Sequence, residues 1–402
     1  MTHPWWRTTD LVSGDSQRRG ESVSNNELTY PRYGCRVVGG PDHGLWRESD
    51  GPELGIGSAP GNELELSDST VSRHHCAIRV DPGGFHLRDL GSTNGTWVGG
   101  LRIEDAYIED GTVLRLGATR VRFDVMSGLV YEPLAAEPKL GSLLGRSAAM
   151  RRVFAHVVRL AGTDLPILIE GAPGTGKTMV AETLHRHSLR AGRPFVAVDC
   201  AALPAARLPR ELLDDAHGGT LLLDDVEELE PLAQVHMTEL LQGKLLRTGS
   251  TEPLDIRVVA TASRDLRGDV NQGRFRLEIL SRFHHARVRL PTLAERPDDI
   301  PLLVWKFWRE LTGDHDAMPS EELLERLVRH AWPANVRELR EAVGRALHKR
   351  SRRALGTGSP MDAVDVPATE SSARALAVGD DELGQPLRRD VAAGQDDPDA
   401  AG

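Results

Sequence analysis

Eight consecutive residues constrain this chain more than any others. Gly171, Ala172, Pro173, Gly174, Thr175, Gly176, Lys177 and Thr178 fit the spacing G-x-x-x-x-G-K-[ST]. An apolar run, Pro166-Ile-Leu-Ile-Glu170, precedes them, and Met179-Val-Ala-Glu-Thr-Leu184 follows with a helical pattern. A strand, a glycine-rich loop and a helix in that order close backbone N–H groups around phosphate oxygens at the positive end of the helix. A chance glycine-rich turn has no reason to sit in that context. Lys177 is expected to reach the β- and γ-phosphates, and the Thr178 hydroxyl to ligate Mg²⁺, so ATP and Mg²⁺ are the expected ligands. Such a site needs an acid at the end of a second buried strand. Gly218-Gly-Thr-Leu-Leu-Leu-Asp224-Asp225 supplies it. Asp224 is expected to hold Mg²⁺ through water, and Asp225 to stand where a water-activating carboxylate belongs.

The surrounding text extends the same architecture. Phe195-Val-Ala-Val198, Thr220-Leu-Leu-Leu223 and Ile256-Arg-Val-Val-Ala260 are apolar on both faces, as strands of a covered parallel sheet must be. Helical pattern takes over from Pro297 to about Lys349. The expected layout is an α/β P-loop domain over 140–296 with a small helical lid over 297–350 and an unfolded tail over 351–402.

The amino-terminal third has a different period. Between Tyr33 and Met126, short alternating segments such as Cys76-Ala-Ile-Arg-Val80, Thr112-Val-Leu-Arg-Leu116 and Val121-Arg-Phe-Asp-Val125 are separated by turns such as Asp81-Pro-Gly-Gly84. Short strands at this spacing predict a β-sandwich over 33–126. Residues 1–32 read as a polar tail, and 127–139, with Pro133 and Pro138, as a linker.

Composition narrows the partners. A formal net charge of −10 argues against a surface built throughout to hold nucleic acid. Cys35, Cys76 and Cys200 lie far apart, without metal-ligand spacing, and read as reduced thiols. No apolar run approaches the ~20 residues of a membrane span, and no signal-peptide core opens the chain, so a cytoplasmic protein without membrane attachment is expected.

Several motifs in order resemble the AAA+ domain of sigma-54-dependent transcription activators: Leu144-Gly-Arg-Ser147, the phosphate loop, Asp199-Cys-Ala-Ala-Leu203, the Asp224 strand, Arg264-Asp-Leu266, Gly273-Arg-Phe-Arg276 with Arg282, and Trp332-Pro-Ala-Asn-Val-Arg-Glu-Leu339. The resemblance covers about residues 140 to 350. It implies that Arg276 and Arg282 act in trans on a neighbouring subunit's nucleotide, stabilising charge on the γ-phosphate. It implies that Arg337 is the sensor arginine of the lid, and that the subunits form a homo-oligomeric ring. Asn335 with Glu338 reads as the cap of the helix that carries Arg337. Standing alone, each of these arginines would read as a surface charge.

The sequence also departs from that family. The long excursion ending in Gly-Ala-Phe-Thr-Gly-Ala is missing between Leu203 and Gly218, so remodelling of sigma-54 is not expected. The usual Glu after the second strand's Asp is Asp225, its restraining Asn is Asp199, and the polar pair after the fourth strand reads Ala262-Ser263. Each change predicts slower turnover, because a displaced base loses geometry and proton-transfer efficiency. After Leu347 the basic run His348-Lys-Arg-Ser-Arg-Arg353 leads into the low-complexity tail, and direct sequence-specific DNA binding is not expected.

Residues 33 to 126 resemble a forkhead-associated domain through Leu54-Gly-Ile-Gly57, Val71-Ser-Arg-His-His-Cys76 and Asp89-Leu-Gly-Ser-Thr-Asn-Gly-Thr96. That resemblance implies recognition of a phosphothreonine-containing protein. Ser72 and Arg73 would bind phosphate oxygens, Thr93 and Asn94 would fix the peptide backbone, and His75 would shape the loop from within. The arginine that usually follows the second glycine is Ser58. The expected function is an ATP-binding signalling or transcriptional regulator of the sigma-54 activator type, reading phosphothreonine, with weak or absent hydrolysis. The alternatives are a working sigma-54-dependent activator and a nucleotide-gated phosphoprotein scaffold without catalysis.

Overall fold

The computed structural model describes residues 22–354 apart from 25, 50, 82, 204–207 and 315–317. Residues 1–21 of the tail expected over 1–32, and 355–402 of the tail expected over 351–402, lie outside the described residues, whereas Ser22–Ser24, also read as tail, form a strand. Strands β1 (Ser22–Ser24), β2 (Glu27–Gly39), β3 (Trp46–Glu48), β4 (Glu53–Gly57), β5 (Leu64–Glu65), β6 (Cys76–Asp81), β7 (Gly84–Asp89), β8 (Thr96–Val98), β9 (Leu101–Ile103), β10 (Asp105–Ile108), β11 (Val113–Leu116) and β12 (Thr119–Pro133) build the expected sandwich. One sheet runs β1-β2-β12-β11-β8-β9, with β3 beside β2, and the other runs β10-β7-β6-β4-β5. Period-two patterning decides which side chains face inward. Leu114, Leu116, Val121 and Phe123 are fully buried, while Arg115, Arg120 and Arg122 between them are exposed. Tyr33, Phe85 and Phe123 meet at the centre with ring centroids 4.9–5.9 Å apart.

Two expected boundaries move. Residues 27–32, read as tail, are the first half of β2, and 127–133, read as linker, are the end of β12. Leu129 to Pro133 pair antiparallel with Pro31 back to Glu27, beyond a register shift after Val125. Pro31 and Pro133 obscured this pairing, since a proline cannot donate to a ladder and argues against a strand. The extended ribbon then turns into the next domain: the Leu134 N–H donates to the Asn26 carbonyl at 2.7 Å, and Arg152 pairs with Glu132 at 2.6 Å.

After a small hairpin, β13 (Lys139–Leu140) and β14 (Leu143–Leu144), come α1 (Ala148–Ala161), β15 (Ile167–Glu170), α2 (Lys177–Arg186), β16 (Phe195–Asp199), α3 (Arg210–Asp215), β17 (Thr220–Asp224), α4 (Pro231–Leu241), β18 (Arg257–Ala262), α5 (Leu266–Asn271), α6 (Leu277–Arg282) and β19 (Arg287–Arg289). The sheet order is β16-β17-β18-β15-β19, with every neighbouring pair parallel. Its strands are covered on both faces. Leu221 and Leu223 join one core with Leu168 and Ala260, whereas Leu222 points into the other with Ile167, Ile169 and Val259. The lid is α7 (Ile300–Thr312), α8 (Glu321–Arg329) and α9 (Asn335–Ala354), closed around Trp308 and Trp332. α9 runs past 350, where the lid was expected to end. Parallel strands send their carboxyl ends to one edge, which brings the phosphate loop after β15 and the acids after β17 together.

Candidate functional site

The phosphate loop leaves β15 and enters α2 through Gly176, whose φ of +107° is accessible to glycine at little cost. At Gly174 the need is spatial as well as conformational, since a Cβ would lie 2.2 Å from the Ala334 carbonyl of the lid. The lid braces this loop. The Gly174 carbonyl accepts from the backbone N–H groups of Val336 (3.0 Å) and Arg337 (3.3 Å), and Arg296 donates to the Thr175 carbonyl at 3.1 Å. Within the loop, the Thr175 hydroxyl donates to the Ala172 carbonyl at 2.8 Å.

Asn335 does not cap α9 as expected. Its Nδ2 donates to the Pro173 carbonyl at 2.9 Å, and its Oδ1 accepts from the Leu293 N–H at 2.7 Å. The side-chain cap comes from Glu338 alone, which accepts from the Ala334 N–H at 3.0 Å. Asn335 is drawn off because its backbone is left-handed (φ 57°) and its amide is buried against the loop. Arg337 stands beside Gly174 with its side chain exposed.

The predicted nucleotide residues converge. Lys177 is 8% exposed, and its Nζ donates to the Gly171 carbonyl (3.1 Å) and to the Ser263 Oγ (2.8 Å). The Thr178 hydroxyl lies 3.2 Å from an Asp224 oxygen, so two hard oxygen donors meet at the loop's mouth. That donor set suits Mg²⁺, which favours carboxylate and hydroxyl oxygen and keeps several waters. Asp225 occupies a left-handed conformation (φ 52°) that costs a non-glycine residue roughly 1–2 kcal/mol. Its carboxylate accepts from the Ser263 hydroxyl at 2.7 Å and lies 3.7 Å from Lys177 Nζ. Asp199, in register with Asp224, accepts from the Ala201 N–H at 3.0 Å and so caps its own turn.

Three contributors were not read from the sequence. Thr261 donates to Asp224 and accepts from the Asp225 N–H at 2.9 Å; a threonine interrupting the apolar run from Val258 to Ala262 was its only signal. Ser263, named above only as a departure, bridges Lys177 and Asp225. Glu227, two residues past Asp225, accepts from the Ser263 N–H at 2.7 Å with its side chain 1% exposed. Burial raises its pKa, and among the described residues its second oxygen has no hydrogen-bond partner. Arg276 and Arg282 bracket α6 at the surface, Arg276 3.6 Å from Glu278.

On the sandwich, Ser72, Arg73, Thr93 and Asn94 gather at one edge. The Ser72 Oγ accepts from the Thr93 N–H at 3.0 Å, and Asn94 donates to the Thr70 carbonyl at 2.7 Å. His75 is buried as expected: its Nδ1 accepts from the Ser72 N–H (3.1 Å) and its Nε2 donates to the Gly95 carbonyl (3.2 Å). Ser58, where an arginine was anticipated, donates to the Val71 carbonyl at 3.0 Å. Arg73 donates across the domain boundary to the Val270 carbonyl at 3.3 Å.

Comparison with known proteins divides the chain in the same way. The FHA domain family matches residues 54–117, the Sigma-54 interaction domain family 144–293, and the AAA+ ATPase lid domain family 294–366. A DNA-binding transcriptional regulator NtrC of Bradyrhizobium sp. is 36% identical over 267 residues, 60% of this chain and 55% of the relative. The C4-dicarboxylate transport transcriptional regulatory protein DctD of Pseudomonas aeruginosa is 37% identical over 246 residues, 55% of this chain and 52% of the relative. A crystal structure of NtrX from Brucella abortus in complex with ATP is 30% identical, with 56% of each chain covered and a TM-score of 0.47. The chain spans about half the length of the curated relatives it matches.

Proposed function

We propose that this chain, a forkhead-associated domain joined to an AAA+ domain of the sigma-54 interaction type, is a regulator with two inputs. One is a nucleoside triphosphate at the phosphate loop, and the other is a phosphothreonine segment at the edge of the sandwich. The observation that carries the first is the meeting of Lys177, Thr178 and Asp224 beneath the loop. In this reading the loop N–H groups and Lys177 bind the triphosphate, while Thr178 and Asp224 hold Mg²⁺. The bound cation supplies charge neutralisation at the β- and γ-phosphates. Arg337 reaches the same phosphates from the lid, and Arg276 and Arg282, exposed on α6, serve a neighbouring subunit of a homo-oligomer.

Hydrolysis is slow or absent in this reading. Asp225 is one methylene shorter than Glu, and the Ser263 hydroxyl and the Lys177 ammonium engage its carboxylate. Both contacts fall on Oδ1, and a general base must also sit within hydrogen-bond reach of the attacking water, a geometry that the shorter side chain gives up. The regulator therefore acts chiefly through nucleotide occupancy, with output passed to a partner. A second reading, a working sigma-54-dependent activator, is favoured by the Sigma-54 interaction domain match and the NtrC relative. Against it, only residues 204–217 separate Leu203 from Gly218, too few for a long remodelling loop, and Arg210–Asp215 among them form α3.

Nucleotide binding and phosphate release by the wild type and Lys177→Ala test the proposal. Mg²⁺-dependent ATP binding lost in the variant, with little phosphate release from either, is the expected result. Brisk ATPase that Lys177→Ala abolishes would refute the slow-hydrolysis half. For the other input, a phosphothreonine peptide pool is expected to bind above its unphosphorylated counterpart, and equal binding refutes that reading.

A further inference from the structure

The sandwich edge that carries Ser72 and Arg73 is touched from one side by the end of α5, while Arg73, Thr93 and Asn94 stay exposed. Besides the Arg73 bond to the Val270 carbonyl, the Asn271 Oδ1 accepts from the His74 N–H at 3.1 Å. The Asn271 Nδ2 donates to the carbonyls of His74 and Leu90. One side chain at the end of α5 therefore staples the 72–75 loop to the segment leading into Ser92 and Thr93. Behind this contact lies a chain of ion pairs. Arg267 of α5 pairs with Glu53 of β4 at 2.7 Å and with Asp265 at 2.6 Å. Arg287 pairs with Glu170, the residue before the phosphate loop, at 2.7 Å and lies 3.8 Å from Asp265.

We propose that α5 and a phosphothreonine segment compete for this edge, so that ligand capture by the sandwich undocks α5. The inference rests on the phosphothreonine reading above. One Arg73 N–H is committed to Val270, and a phosphate that takes the guanidinium in a bidentate grip draws it away from α5. The Val270 carbonyl is a single neutral acceptor at 3.3 Å, whereas a phosphate presents the guanidinium with ionised oxygens that it can grip in pairs. The exchange opposes that gain with the Asn271 bonds and the Arg267–Glu53 pair, so it is a balance rather than a one-way release.

The docked segment has consequences in both directions along the chain. Toward the nucleotide, Arg264 donates to Asp269 of α5 at 2.8 Å, and the neighbouring Ser263 bridges Lys177 and Asp225. Away from it, α5 runs through Gln272 to Arg276, one of the arginines assigned to a neighbouring subunit. Undocking loosens both ends of this segment at once. Coupling of this kind is reciprocal: docking lowers ligand affinity by the same factor by which ligand weakens docking, and a variant that cannot dock recovers that factor.

The test compares the full-length wild type with Asn271→Ala, using a degenerate phosphothreonine peptide pool and its unphosphorylated counterpart. Asn271→Ala is expected to bind the phosphorylated pool at least about fivefold more tightly. In the wild type, addition of that pool is expected to speed amide hydrogen exchange over residues 266–276, a readout that needs no variant. Equal or weaker binding by Asn271→Ala, or exchange over 266–276 that stays level or falls, overturns the competition while leaving phosphothreonine recognition standing. Absence of phosphate-dependent binding in both proteins overturns the recognition itself, and the competition with it.

Discussion

In the proposed reading, Asp225 is the residue whose change should move turnover most. Restoring the missing methylene with Asp225→Glu is expected to raise phosphate release at least about tenfold, read by single-turnover kinetics, because the carboxylate then reaches past Ser263 toward water. A second residue-scale prediction concerns pH. His74 is 6% exposed at the domain boundary, and burial, aided by the Arg267 charge, pushes its pKa down to about 4. Asp265 opposes that shift, while Arg287 and His284 reinforce it. A histidine held neutral binds its proton more readily in the unfolded chain, so stability falls as pH drops from about 6.5 toward 4. The loss is up to roughly 3 kcal/mol, and denaturant melts at pH 7 and pH 5 should show it shrinking in His74→Asn. At this scale Lys177, Thr178 and Asp224 were legible in the sequence because each sits in a local pattern, a glycine-rich loop or the end of an apolar strand. The sequence could not show that Thr261 and Ser263 hold the two acids, since those contacts arise only when β17 and β18 lie side by side.

Among the elements, β17 is the one on which the site most depends. Leu222 is fully buried in the core opposite to that of Leu221 and Leu223. Leu222→Ala is expected to cost about 3–4 kcal/mol, measured as a fall in the urea midpoint, because a strand covered on both faces has little room to collapse. The start of α9 supplies the complementary prediction. Asn335→Ala removes the tie from the lid to Pro173 and Leu293, and nucleotide affinity is expected to fall several-fold while the lid stays folded around Trp308 and Trp332. Isothermal titration checks the first half and tryptophan fluorescence the second. The parallel strands were legible as continuous apolar runs. The paired ends of β2 and β12 were not, because prolines interrupt both and their partnership spans a hundred residues of chain.

At the scale of the whole molecule, α5 joins the two domains through contacts with Arg73, His74 and Glu53. If Arg276 serves a neighbour, Arg276→Ala should leave nucleotide affinity within about twofold while removing any rise in turnover with protein concentration. Sizing with and without nucleotide, beside a rate-versus-concentration series, checks this. A variant as concentration-dependent as the wild type would return Arg276 to the status of a surface charge paired with Glu278. The domain boundary itself is polar. Burial alone would lower the Arg267 pKa, but the Asp265 and Glu53 carboxylates more than offset it, and the net shift is upward. A buried pair of this kind destabilises strongly when one partner is removed, by about 3–5 kcal/mol, even where the intact pair adds little.

The phosphate loop illustrates the division between the two levels of information. Its glycines, lysine and threonine, the acids after a second apolar strand, and the alternating strands of the sandwich were all present in the sequence, because each is a local pattern with a local physical cause. Which side chains brace the loop, which hydroxyl engages Asp225, and which helix lies beside the Ser72 and Arg73 loop depended on folding. Those contacts join residues distant along the chain, such as Arg73 with Val270 and Asn335 with Pro173. No local propensity encodes them, and only the packing of the sheets, the lid and the sandwich brings them within hydrogen-bond reach.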